Sequence, residues 1–142
     1  MTFWKADYKR YNIIPNNFLC VSISEKTPAF FNKKNAVIPY NGLFSKPIEL
    51  FGGDFEKSYY NKVNNMMRKM GHNGFNSYIS SMINMYENYI FHDDNYNPIK
   101  YNAIVFMFDE NEDNRHLDLL CKLFENYGII IKEFKSDKLS LF

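Results

Sequence analysis

The stretch from Tyr101 to Phe134 constrains the fold more than any other part of the chain. It opens with a continuous apolar run, Tyr101-Asn102-Ala103-Ile104-Val105-Phe106-Met107-Phe108, and passes through a polar loop from Asp109 to Asn114. A helix follows with Leu117, Leu120, Cys121 and Phe124 on one face, closed by Tyr127-Gly128 before Ile129-Ile130-Ile131. An apolar run without alternation fits a strand covered on both faces, and glycine after the last helical turn is a common stop. A strand, helix, strand unit of this kind makes its two strands parallel, with a right-handed crossover. The expected architecture is therefore α/β: a single three-layer domain spanning residues 1–142, with a mostly parallel sheet flanked by helices. A length of 142 residues suits one core.

The remaining segments fit this frame. Residues Asn17 to Ser24, apolar from Phe18 to Ile23 except for Ser22, lie between Pro15 and Pro28 and are expected to be a central strand. Residues 2 to 8 are expected to be an edge strand. The segment 26–53 carries Pro28, Pro39, Pro47, Gly42, Gly52 and Gly53 and reads as irregular, pinned by aromatic side chains. Asp54 is placed to cap a helix reaching about Met70, with Phe55, Tyr59, Val63, Met66, Met67 and Met70 on one face. After Gly71, a second helix from about Gly74 to Phe91 carries Phe75, Ile79, Met82, Ile83, Tyr86 and Ile90. Methionines at this spacing belong to a packed face and not to a metal site. His92 to Pro98 is a polar turn, and its His92-Asp93-Asp94 run reads as solvated rather than metal-binding.

Charge and cysteine content exclude several functions. A net charge of +1 provides no long-range field toward nucleic acid or an anionic membrane. Nucleic-acid binding would require Lys33, Lys34, Lys57 and Lys62 to gather on one face. Cys20 and Cys121 cannot build a disulfide framework and have no zinc-ligand spacing around them, so both read as small buried hydrophobes in a reducing compartment. No apolar run approaches the roughly 18 residues of a membrane span, and the amino terminus lacks a signal-peptide core, so a cytoplasmic protein is expected. Gly52-Gly53 lacks the Lys and Thr of a phosphate loop, and no nucleophile elbow is present. No cofactor is implied. The abundance of Asn, Lys and Tyr is also what A/T-rich codons produce, so it carries no functional argument.

In a parallel α/β sheet, ligands bind beyond the carboxyl ends of the strands, where helix amino termini offer free N–H groups and partial positive charge. Two loops qualify. The first supplies Ser22, Ser24, Glu25, Lys26 and Thr27; the second supplies Asp109, Glu112, Asp113, Asn114, Arg115 and His116. The candidate ligand set is Ser24, Lys26, Asp109, Asn114, Arg115 and His116. Arg115 stands out as one of three arginines in a lysine-rich chain, placed in a first helical turn where a cation is electrostatically disfavoured. Two readings follow: a guanidinium fork that grips a phosphate or carboxylate, with His116 as donor or proton shuttle, or a local ion pair with Glu112 or Asp113. Any catalysis here would be hydrolysis or glycosyl transfer on a nucleotide, with Asp109 as acid or base and Arg115 holding phosphate.

The same two loops carry a likeness. Val21-Ser22-Ile23-Ser24-Glu25-Lys26-Thr27-Pro28-Ala29-Phe30-Phe31, the helical Tyr59 and Tyr60, Phe106-Met107-Phe108-Asp109, Asp113-Asn114-Arg115-His116-Leu117 and the closing strand from Gly128 to Phe134 occur in this order. In these features the chain resembles the small bacterial and archaeal family catalogued as domain of unknown function 488. That family has the strand pattern I-S-[IR]-x-x-P-x-[WF]-F and a Cys-His-Arg-His-Leu helix start. Arg115, His116 and Leu117 coincide with it, whereas Asp113 and Asn114 stand where Cys and His are usual. The resemblance implies a degenerate member that keeps the arginine and lacks the reactive thiol.

The expected partner is a small anionic, nucleotide-like ligand. A rival reading is an accessory protein of a phage or mobile element that blocks or sequesters a host defence component. The rival calls for an exposed aromatic patch drawn from Tyr59, Tyr60, Tyr86, Tyr89 and Phe91. The sequence leaves the oligomeric state open.

Overall fold

A computed structural model describes residues 1–24, 43–47, 52–93 and 95–135. Glu25, Lys26, Thr27, Pro28, Lys33, Lys34 and Asp94 lie outside the described residues, as does most of the irregular segment 26–53.

The buried run after Tyr101 becomes strand β5 (Ala103–Phe108), and the other parallel strands assemble around it. Strand β1 (Thr2–Asp7) pairs with one side of β5 and β2 (Phe18–Ser22) with the other. Strand β6 (Ile131–Glu133) pairs with the far side of β1, giving the order β2-β5-β1-β6 with all three pairings parallel. A separate antiparallel hairpin joins β3 (Phe91–His92) and β4 (Pro98–Ile99). The sheet is thus mostly parallel and the domain α/β. The unit read from Tyr101 onward is present as β5, helix α3 (Arg115–Asn126) and β6. Its two strands are parallel and enclose β1 between them.

Two strand positions differ from expectation. β1 is interior to the sheet, and β2 is at the edge of the described sheet. The cause is that apolar continuity reports covered faces and not hydrogen-bonded edges. In β2, Leu19 and Val21 join the main core, while Cys20 joins a second core built on Tyr8, Tyr11 and Ile14. Both faces are therefore buried although only one edge is paired within the described residues. In β1, Thr2, Lys5 and Asp7 interrupt the apolar pattern and made an interior strand look peripheral.

Helices α1 (Phe55–Lys69), α2 (Phe75–Asn88) and α3 contribute to the main core, which also takes Phe3, Leu19, Val21, Ile104 and Phe106 from the sheet. Phe124 of α3 lies 5.3 Å from Phe3 and 5.5 Å from Phe106, ring centre to ring centre. The opposite face meets a 3-10 helix (Tyr8–Ile13), with Ala6, Cys20, Val105 and Met107 beneath it. Helical segments therefore flank the sheet on both faces, unequally.

Local signals explain the helix ends. The Asp54 carboxylate accepts the Lys57 N–H at 3.0 Å, the cap expected there. Gly128 closes α3 at φ +94°, with Ile129 N–H donating to Phe124 O at 2.9 Å. Helix α2 ends at Asn88, short of Phe91, and Ile90 is exposed. Met67, Met82 and Met107 are buried, as methionines on packed faces should be. Cys20 is buried and Cys121 half-buried. No helix among the described residues is long and apolar enough to cross a membrane.

Candidate functional site

Both selected loops meet at the carboxyl ends of β2 and β5. Past Ser22 the ladder continues for one bond, Ile23 N–H to Met107 O at 3.0 Å. The Ile23 carbonyl turns to helix α3 and accepts His116 Nε2–H at 3.0 Å. The imidazole therefore stitches the first turn of α3 to the end of β2. Next along, Ser24 Oγ accepts the Asp109 N–H at 3.1 Å. Ser24, Asp109, Asn114, Arg115 and His116 thus occupy one rim, while Lys26 lies outside the described residues.

The loop after β5 is held by its own polar groups. Asp109 Oδ1 accepts Asn111 N–H at 2.9 Å, and Asn114 Nδ2 donates to the carbonyls of Asp109 and Glu112 at 2.8 and 3.1 Å. Asp7, at the end of β1, accepts the Glu110 N–H at 2.7 Å, and Lys9 pairs with Glu110. This bonding fixes where α3 begins and directs its amino terminus to the rim.

Arg115 is exposed and paired. Its Nη2 lies 2.9 Å from Asp113 Oδ2, its Nε bridges both carboxylate oxygens at 3.1 and 3.2 Å, and its guanidinium carbon stands 4.1 Å above the Phe55 ring. Asp113 also accepts the Arg115 backbone N–H at 3.1 Å, so one carboxylate serves the first helical N–H and offsets the cation placed there. The guanidinium and its hydrogen bonds hold Asp113 well below the usual carboxylate range, down to about 2. Of the two readings of Arg115, the geometry has the local ion pair. The guanidinium forms a wall of the rim, and its fork is already filled by a carboxylate.

His116 is only 2 % exposed, and burial lowers its proton affinity. The Ile23 carbonyl and Asp113 act in the opposite direction, while Lys46 and Lys62 add to the lowering. A neutral ring that donates from Nε2 carries its lone pair on Nδ1. That atom is buried and makes no hydrogen bond among the described residues, and neither does Asn114 Oδ1.

Lys62 is the residue that sequence reading did not assign to this site. Its ammonium donates to Ser45 O at 2.6 Å, Ser45 Oγ at 2.7 Å and Lys46 O at 3.3 Å, all of them uncharged acceptors. Burial alone pushes this lysine down to about 8. The available signal was its position three residues after Tyr59 and one before Val63, which sets it at the border of the buried stripe of α1.

The aromatic patch required by the contact-binding reading does not form from the residues named for it. Tyr59, Tyr86 and Phe91 are in the core, Tyr60 is half-buried, and of the five only Tyr89 is exposed. Asp93 accepts the N–H groups of Asn95 and Asn97 at 2.9 Å, closing the β3-β4 turn as a polar loop should. Among the described residues no three metal-ligating side chains cluster. No protein-family profile, no curated protein and no solved structure matches the chain.

Proposed function

We propose that the rim at the carboxyl ends of β2 and β5 binds a small anionic, nucleotide-like ligand, and that the chain is a binding relative of the domain of unknown function 488 family that lacks the thiol of its motif. One observation carries the reading: Lys62 is a partly buried cation whose hydrogen-bond partners among the described residues are all neutral oxygens. A desolvated charge without a counter-charge is costly, and an anion arriving beside it removes that cost. Lys46 and Lys62 are both near enough to His116 to lower its proton affinity, so the positive potential extends to the start of α3. Asp113, whose charge also reaches His116, is already committed to Arg115.

In this reading Lys62 takes the negative charge, and the amino terminus of α3 adds its dipole. Ser24, Asp109 and Asn114 shape the floor, His116 lines it, and Arg115 holds Asp113 away from the ligand. Native mass spectrometry of the purified protein and thermal-shift titration with inorganic phosphate and AMP provide the test. Lys62→Met abolishes the ligand-driven rise in melting temperature, whereas Arg115→Ala keeps it. A rise that survives Lys62→Met sinks the assignment.

A further inference from the structure

The Lys62 reading concerns negative charge, but the same rim exposes a second deficit of opposite kind. Asn114 is the N-cap of α3 and makes no side-chain cap bond, although accepting a helical N–H is the usual task of asparagine there. Its Nδ2 donates to two carbonyls, which fixes the amide orientation and leaves Oδ1 as a buried acceptor without a donor. Two residues on, the His116 ring is pinned through Nε2 to Ile23 O, which leaves Nδ1 as a second buried acceptor without a donor. A buried acceptor left unmade is costly, and native structures contain few of them. Two at one helix start call for a donor that the described residues do not supply.

Resting on the reading of the rim as an anion site, we propose that its ligand is a phosphate ester that also carries two free hydroxyls, and that His116 Nδ1 and Asn114 Oδ1 each accept from one of them while Lys62 holds the phosphate. A bare oxyanion offers acceptors only and satisfies neither atom. A sugar phosphate or nucleoside monophosphate supplies both chemistries within one small molecule. With Nε2–H occupied by a backbone carbonyl, the imidazole has a single tautomer and a fixed plane, so one hydroxyl meets a preset lone pair.

The test compares ribose 5-phosphate, inorganic sulfate and ribose by calorimetry, with the His116 ring nitrogens followed by 15N NMR. The expected result is ribose 5-phosphate binding about tenfold or more tighter than sulfate, as well-made hydrogen bonds allow. Its addition moves the Nδ1 resonance, sulfate alone does not, and Asn114→Asp, which keeps an oxygen but adds a negative charge, weakens the sugar phosphate. Equal affinity for the two anions with Nδ1 unmoved overturns the hydroxyl inference and leaves the anion site standing. An Nδ1 already hydrogen-bonded in the ligand-free protein shows water filling the place and also overturns it. Binding by neither anion removes both readings.

Discussion

Arg115 and Lys62 are two cations on one rim with opposite surroundings. The arginine is exposed, meets Asp113 through a forked contact and lies over Phe55. The lysine is partly buried and, among the described residues, meets only carbonyls and a hydroxyl. A positive charge in solvent beside its counter-ion is locally settled, while one in a drier place without a counter-ion leaves a potential that another molecule can use. The residue conspicuous in the sequence is the settled one.

Reversing the lysine's charge should have the largest effect. Lys62→Glu turns a carboxylate toward the Ser45 and Lys46 carbonyls and should cost about 2–4 kcal/mol, read as a lower urea midpoint. A midpoint near the wild-type value would mean that the ammonium lies in solvent and that the contrast with Arg115 is false.

A smaller effect lies on the alkaline side. Lys62 titrates near 8 when folded and near 10.4 in an unfolded chain, so between these values the unfolded state holds more protons and stability rises with pH. After discounting for partial exposure the gain is on the order of 1 kcal/mol. Chemical denaturation of Lys62→Met across pH 7 to 11 should lack this rise, and a parallel profile would remove the claim.

His116, beside both cations, gives an acid-side effect smaller again. Its folded proton affinity is below the unfolded value, so the unfolded chain protonates first and stability falls as pH drops through about 6.5. His116→Gln should flatten that descent between pH 7 and 5. An unchanged slope would place its origin in another group.

The exposed pair gives the smallest effect. Asp113→Asn should leave the neutral-pH urea midpoint nearly unmoved, since exposed ion pairs contribute little. The lowered carboxyl adds its modest share only above about pH 4, and that share is lost as pH falls through about 2. A large neutral-pH loss would promote Asp113 from a surface partner to a structural anchor.

Periodicity and punctuation were readable wherever one element decides its own fate. Asp54 announced the start of α1, Gly128 the end of α3, and the run from Ala103 to Phe108 the middle of the sheet. Neighbour relations were not readable, because strand order is set by long-range pairing. Lys5 and Asp7 disguised β1, and the 3-10 helix gave an edge strand the burial of a central one. The site divided in the same way. Position at the strand ends brought Ser24, Asp109, Asn114, Arg115 and His116 to one place, but acid-rich surroundings on both sides of Arg115 left its partner undecided. The environment of Lys62 depends on Ser45 and Lys46, residues on a different segment that no spacing rule connects to α1.

The place of β1 has a consequence for how the molecule comes into being. Thr2 is matched to Ala103 and Phe3 to Ile131, so the earliest strand in the sequence occupies a slot whose two walls are the two latest strands of the sheet. Such distant partners slow assembly, and β1 must remain unpaired until its neighbours emerge. Trimming the first seven residues would therefore split the sheet down its middle, parting β6 from β5, where the loss of a true border strand would only narrow it.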